Sequence, residues 1–386
     1  MTQRNTLLAA SLGRDRVTGV MEASEYVLEM RKEVILIMEK LMRKLHVIFW
    51  MFFGAFVVQG RAQQAPPLKL IQTIHLPNVK GGLSHFGLDR KGNRLFATLQ
   101  KEKSVQVFDL RTMNLLHTIG GFQQPYSVVY REDLDRIYVT DENGGALKIF
   151  DGKTYESIKS VELLLDAESM AYDPASHYLY IANGGADEHQ TYAFVSIVDA
   201  NAGAKVADIK IDSDSLKDIV LEKSSPKMYV NNRGKNQVDV IERKTRTLIA
   251  SWPITLGKGN VPMAFDQAHH RLFVGCRNGQ IVIFDTESGK ELQALPINEG
   301  VDDLAFDPVG KRIYAASGGA GGAVDVFEET DPDHYKSLGK VPTEPGAREG
   351  RLVPERGRYF VAVPQRENTE AEILVFETVG ERVRRR

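Results

Sequence analysis

The chain has 386 residues, with 33 Gly, 15 Pro, 13 Tyr and 17 Phe, enough to bury a large core between many turns and short aromatic strands. Its formal net charge is -2, and from Gln63 onward 40 Lys and Arg stand against 45 Asp and Glu, which gives no support for an electrostatic grip on nucleic acid or an anionic membrane. Cys276 is the sole cysteine, so no internal disulfide can form, and its place in an apolar run marks it as a small buried hydrophobe.

In chain order, the first 62 residues differ from everything after them. Met42-Arg43-Lys44 supplies positive charge, Leu45–Val58 is an uncharged run rich in Phe and Trp, and Gly60-Arg61-Ala62 places small residues before Gln63. These are the three parts of a secretory signal peptide, expected over 42–62, and the run is short for a membrane span. Cleavage there leaves no stable span and sends the chain to the periplasm or outside the cell. Residues 1–41 contain an amphipathic stretch, Glu22–Leu41, and are read as a misassigned start or a disordered or helical extension, with translation expected from Met42 or Met38. Residues 63–67 are a linker.

From Leu68 the period becomes that of strands, and one phrase returns seven times. Its aromatic residue stands at Phe96, Tyr138, Tyr180, Tyr229, Phe273, Tyr314 and Phe360. Repeats of this size with several short strands each predict an all-β, seven-bladed β-propeller over 68–378, built of four-stranded antiparallel blades. The third strand of each unit ends in an acid: Asp109, Asp151, Asp199, Glu242, Asp285, Glu328 and Glu377. Blade geometry would spread these around the rim, so they read as turn-forming residues, not paired acid/base catalysts. The last unit lacks a fourth strand, whereas Leu68–Leu76 precedes the first and matches one in pattern. The N-terminal strand is therefore expected to complete the C-terminal blade and close the ring. Residues 379–386 form a basic tail.

The phrases DRIYVTDENGGALKIFD (Asp135–Asp151), HYLYIANGG (His177–Gly185) and RLFVGCRNGQIVIFD (Arg271–Asp285) resemble the bacterial YVTN-type β-propeller repeat family, with Tyr138-Val139-Thr140 at the position of its name. The resemblance runs from about Leu68 to Thr378. It implies an exported module in a superfamily that includes lactonase-like and quinoprotein-like propellers. It specifies a fold more sharply than an activity.

The first strands of the units should begin at the channel mouth. Alignment on the acids that end them places His85, Tyr126, Ser169, Asp218, Pro262, Asp303 and Gly350 in one ring. Ser84, Pro125, Glu168, Lys217, Val261, Asp302 and Glu349 form the ring one residue before it. Glu168, Lys217, Asp218, Asp302, Asp303, Arg348 and Glu349 are the candidate ligand-binding residues. His85 is the candidate general base, and His85, Asp218 and Asp303 are the candidate ligands of a divalent cation. The competing account has the same side chains capping strand starts and pairing with Lys217 and Arg348. Enlarged loops at Asn183–Tyr192, Ser317–Gly322 and Pro364–Glu370 are a second place for recognition, including Asp187, Glu188 and His189. His269-His270 falls in a turn without zinc spacing, and HExxH, CxxCH and GxSxG are absent from the sequence.

Two functions are compatible with this pattern. One is an exported, non-enzymatic propeller without a cofactor that binds a protein, a cell-envelope component or a small molecule on its loop face. The other is a metal-dependent, lactonase-like hydrolase using the axial histidine and carboxylates.

Overall fold

The structure is a computed structural model and describes residues 29–42 and 65–380. Residues 29–42 form a helix with every residue exposed, and they belong to a compact unit separate from the one beginning at Ala65. Among the described residues, no helix is long and apolar enough to cross a membrane. The expected signal peptide lies outside the described residues, apart from Met42.

Seven four-stranded antiparallel sheets make up the larger unit. Six are continuous in sequence, spanning 83–119, 125–162, 170–211, 216–253, 260–296 and 301–342. The seventh takes three strands from the C-terminus and one from the N-terminus. Strand β1 (Leu68–Leu76) pairs antiparallel with β28 (Ala371–Thr378), from Leu68 opposite Thr378 to Leu76 opposite Ala371. Closure satisfies the edge that β28 would otherwise leave open. It also buries Leu68 and Leu76.

The repeat aromatic sits in the second strand of every blade, and all seven are at most 2% exposed. Large rings between twisted sheets fill the widening space away from the axis, and all seven blades place Tyr or Phe there. Tyr138 also donates its hydroxyl to the Ala200 carbonyl at 2.6 Å, tying its blade to the next. Five of the seven third-strand acids behave as turn formers, whereas Glu328 and Glu377 lie within longer strands, opposite Lys336 and Lys69, and form no turn. Asp109 accepts from the backbone N–H of Arg111 and Thr112 at 2.8 and 2.9 Å. Asp151 does the same with Lys153 and Thr154, and Asp199 with Asn201 and Ala202.

The innermost strands carry the feature that builds the channel. In β2 (Leu83–Asp89), β6 (Pro125–Arg131), β14 (Leu216–Leu221), β18 (Asn260–Asp266) and β22 (Val301–Asp307), the register shifts within the first few residues. An irregularity of this kind frees one or two residues from the ladder and re-aims their side chains. The freed polar backbone is held by the second strand. Thr98 accepts from the His85 N–H at 2.9 Å and donates to the Tyr126 carbonyl at 2.7 Å. Thr140 repeats this with the Ser127 N–H and the Glu168 carbonyl. Asn231 donates to the Val261 carbonyl at 2.8 Å. The threonine of Tyr138-Val139-Thr140 is thus a clamp between neighbouring blades.

Candidate metal centre in the axial channel

Strand pairing corrects the alignment of two units. The residues opposite the repeat aromatics are Gly87, Val129, Ala171, Val220, Ala264, Ala305 and Arg351. Counting back two places, the ring of His85 comprises Ser127, Ser169, Asp218, Pro262, Asp303 and Glu349. Tyr126 belongs one place earlier with Ser84, and Glu349 takes the place expected of Gly350. The acid used as a marker is missing from these two blades, where Arg131 and Val353 end the first strand, so the count slipped by one.

The two rings line connected spaces. An axial cavity of about 360 Å³ is bounded by His85, Lys217, Asp218, Asp302, Asp303 and Arg351, among others. A vestibule of about 480 Å³ shares Tyr126, Glu168, Lys217, Val261 and Asp302 with it, and adds Arg233, Arg277, Arg348 and Glu349. These volumes suit a small molecule.

The candidate acids divide by what they touch. Glu168 is paired with Lys217 at 2.5 Å. Asp302 is held by Arg277 and by Arg348, the latter at 2.8 Å. Asp218 is occupied by backbone, accepting from the N–H groups of Ile219 and Met263 at 2.8 Å each. These contacts fit the capping and pairing account, and Asp218 is not in the group of donor atoms that converge most closely. His85, Asp303 and Glu349 remain, each offering a donor atom within 4.8 Å of the others. Arg348 approaches the other oxygen of Glu349 only to 3.7 Å. Glu349 Oε2, which His85 Nδ1 approaches at 3.4 Å, is buried and makes no hydrogen bond among the described residues.

Electrostatics set the state of this trio. Burial pulls His85 down to about 4, opposed by the Asp302 carboxylate and helped by Arg351 and Arg348. The imidazole is therefore neutral at neutral pH, and its 3.4 Å approach to Glu349 is a contact, not an ion pair. The Tyr126 ring meets it edge-on, with centroids 4.6 Å apart. Burial pushes Asp303 up to about 7 against the pull of Arg351. Burial, with the neighbouring Asp302 and Asp303, pushes Glu349 well above the carboxylate range. A neutral imidazole nitrogen and two carboxylates that resist ionisation are a donor set that a divalent cation would relieve.

Arg351 is the residue that sequence reasoning missed. Six blades place Gly, Ala or Val opposite the repeat aromatic, and the seventh places an arginine there. The side chain is water-accessible within the channel and, among the described residues, makes no hydrogen bond or ion pair. That departure was visible in the sequence once the blades were correctly registered. The expected recognition edge in the third-blade loop is partly structural: Glu188 accepts from the Leu165 N–H at 2.8 Å. His269 is also better connected than its turn suggested, packing against Asp266 and Glu329.

Fold and site together define a seven-bladed β-propeller with a polar axial cavity and a His/carboxylate cluster. No family model matches the chain. Two curated relatives, the uncharacterized proteins YncE of Salmonella typhi and of Salmonella typhimurium, are each 30% identical over 105 residues, or 26% of this chain and 30% of theirs. The matched stretch is thus less than a third of either relative. Among solved structures, Kuenenia stuttgartiensis hydrazine synthase superposes with a TM-score of 0.68 at 18% identity, covering 81% of this chain and 99% of that one. A chain of the mitotic checkpoint complex gives 0.67 at 11%, covering 83% and 94%. Both likenesses concern the fold alone.

Proposed function

We propose that this chain is a divalent-cation-dependent hydrolase of the lactonase type, built on an exported propeller with YVTN-type repeats. The observation that carries the reading is the convergence of His85, Asp303 and Glu349 where the axial cavity meets the vestibule, with a buried carboxylate oxygen that makes no hydrogen bond among the described residues. His85, Asp303 and Glu349 would hold the cation, which supplies Lewis-acid polarisation of an ester carbonyl and an acidified water. Arg351, which feels the Asp303 charge but makes no hydrogen bond or ion pair among the described residues, suits a substrate carrying a carboxylate or another anionic group. The paired residues Lys217, Glu168, Arg277, Arg348 and Asp302 shape the entrance and leave it with a small excess of positive charge. The YVTN assignment draws support from Tyr138-Val139-Thr140, whose threonine acts as the inter-blade clamp.

The test is hydrolysis of a panel of five- and six-membered lactones by the purified chain, after chelation and after return of Zn2+, Mn2+ or Ca2+. Turnover restored by one of these ions and abolished in Glu349→Gln is the expected result. Absence of turnover in every metal-loaded sample would overturn the hydrolase. Cation binding without turnover would return the protein to the alternative of a non-enzymatic propeller that binds its ligand on the loop face. Export is a separate proposal, resting on residues 42–62. Deleting Met42–Ala62 should strand the protein inside the cell on fractionation, and unchanged export would refute it.

A further inference from the structure

A second cluster lies at the opposite end of the innermost strands from the channel mouth, between the fifth and sixth blades. Asp266 ends β18, His269 stands in the turn that follows, and Glu329 lies in β24 (Ala323–Asp331). His269 Nδ1 is 2.5 Å from Asp266 Oδ2 and 3.5 Å from Glu329 Oε1. The Glu329 side chain is 0% exposed, that of Asp266 2%, and that of His269 33%. Among the described residues, neither carboxylate oxygen of Glu329 has a hydrogen-bond partner.

The repeat supplies its own control. Glu329 follows the third-strand acid of its blade, and its N–H donates to the Lys311 carbonyl at 2.8 Å. Arg243 occupies the same place in the fourth blade, with its N–H on the Pro226 carbonyl at 2.8 Å. There the guanidinium reaches back to Asp173, the acid that ends the first strand of the preceding blade, at 2.6 Å. In the fifth and sixth blades the same geometry sets Glu329 against Asp266, so two buried acids meet where an arginine and an aspartate meet between the third and fourth blades. Burial and the Asp266 charge push Glu329 up to about 7, opposed by His269. Two acids so placed call for a positive charge between them, and the partly exposed imidazole leaves a way in.

We propose that Asp266, His269 and Glu329 form an inter-blade site for a first-row divalent cation such as Zn2+, which joins the fifth and sixth blades. One imidazole nitrogen and two carboxylate oxygens leave a position for water, within the range of zinc sites. The site is independent of the axial cluster and does not depend on the hydrolase reading.

Metal analysis of the full chain after chelation, loading with Zn2+ and removal of excess ion tests the site, using Glu349→Gln as the parent so that the axial cluster is disabled. The parent should retain one Zn2+ per chain, and its melting midpoint should rise by roughly 5 °C at a hundredfold excess over the dissociation constant. Adding Glu329→Gln, which keeps the side-chain shape, should remove both the bound ion and the shift. His269→Ala, at the exposed edge, should do the same if the glutamine variant folds poorly. Equal Zn2+ retention with and without Glu329→Gln would overturn the proposal. So would a parent that binds no Zn2+ while Glu329→Gln raises its metal-free midpoint, the mark of acids that share a proton. If Glu349→Gln retains one Zn2+ as the wild type does, and Glu329→Gln then removes it, the axial reading fails and this one stands.

Discussion

Asp218 shows how a single side chain in the channel reports its surroundings. Its carboxylate accepts two backbone N–H groups, which favour the charged form, yet burial outweighs them and pushes it up to about 6. Because the folded value lies above the unfolded one, the unfolded chain releases this proton first as pH rises. Asp218 therefore costs stability progressively between about pH 4 and pH 6, by at most on the order of 3 kcal/mol, and the cost is constant above that. In Asp218→Asn this contribution should vanish. Urea midpoints at pH 4.5 and pH 7 should show the wild type losing ground to the variant on going to pH 7; parallel midpoints would contradict the assignment. At this scale the sequence was legible only in part. That Glu168, Asp218, Asp302 and Asp303 line one channel followed from the repeat, but which of them are spent on partners did not. Lys217, Arg277 and the Met263 N–H come from other blades, and a one-dimensional pattern carries no distance between blades. Arg351 was hidden for a simpler reason: it is an exception to a register that could be counted correctly only after the blades were paired.

Among the elements, β1 and the bulged inner strands matter most. Strand β1 brings two buried leucines, about 1.5–3 kcal/mol each when fully buried, and supplies the hydrogen-bonding partner of β28. Deleting Leu68–Leu76 should abolish cooperative unfolding or lower the midpoint severely, while removing the residues after Val379 should have a much smaller effect; thermal unfolding followed by circular dichroism distinguishes them. A truncation at Val379 as damaging as loss of β1 would mean that the last blade is not closed as described. Closure was readable because a missing fourth strand at one end and a spare strand at the other are both pattern-level facts. The bulges were not. They arise from register shifts at Leu83, Pro125, Leu216, Asn260 and Val301, and nothing in an apolar/polar alternation marks a slipped ladder. Their clamps were present in plain view as Thr98, Thr140 and Asn231, two places after the repeat aromatic. A polar residue there looked like ordinary strand variation. Gly275, the fifth-blade counterpart, is small for a different reason: a Cβ there would come within 2.7 Å of the Pro262 ring.

For the whole molecule, seven nearly equivalent blades make any departure from the repeat informative. Structure-forming residues recur, as the aromatics and the turn acids do, whereas His85, Glu349, Arg351 and Glu329 each occur once at their positions. A ring also brings residues hundreds of positions apart into one cavity, so that His85 and Glu349 meet across the closure of the chain. That meeting is the centre of the functional account. Its most direct test is equilibrium dialysis of the full chain against Zn2+, Mn2+ and Ca2+, comparing the wild type with Glu349→Gln. For one of these ions the wild type should hold one more equivalent per chain than the variant. Equal binding of all three ions by the two proteins would contradict it.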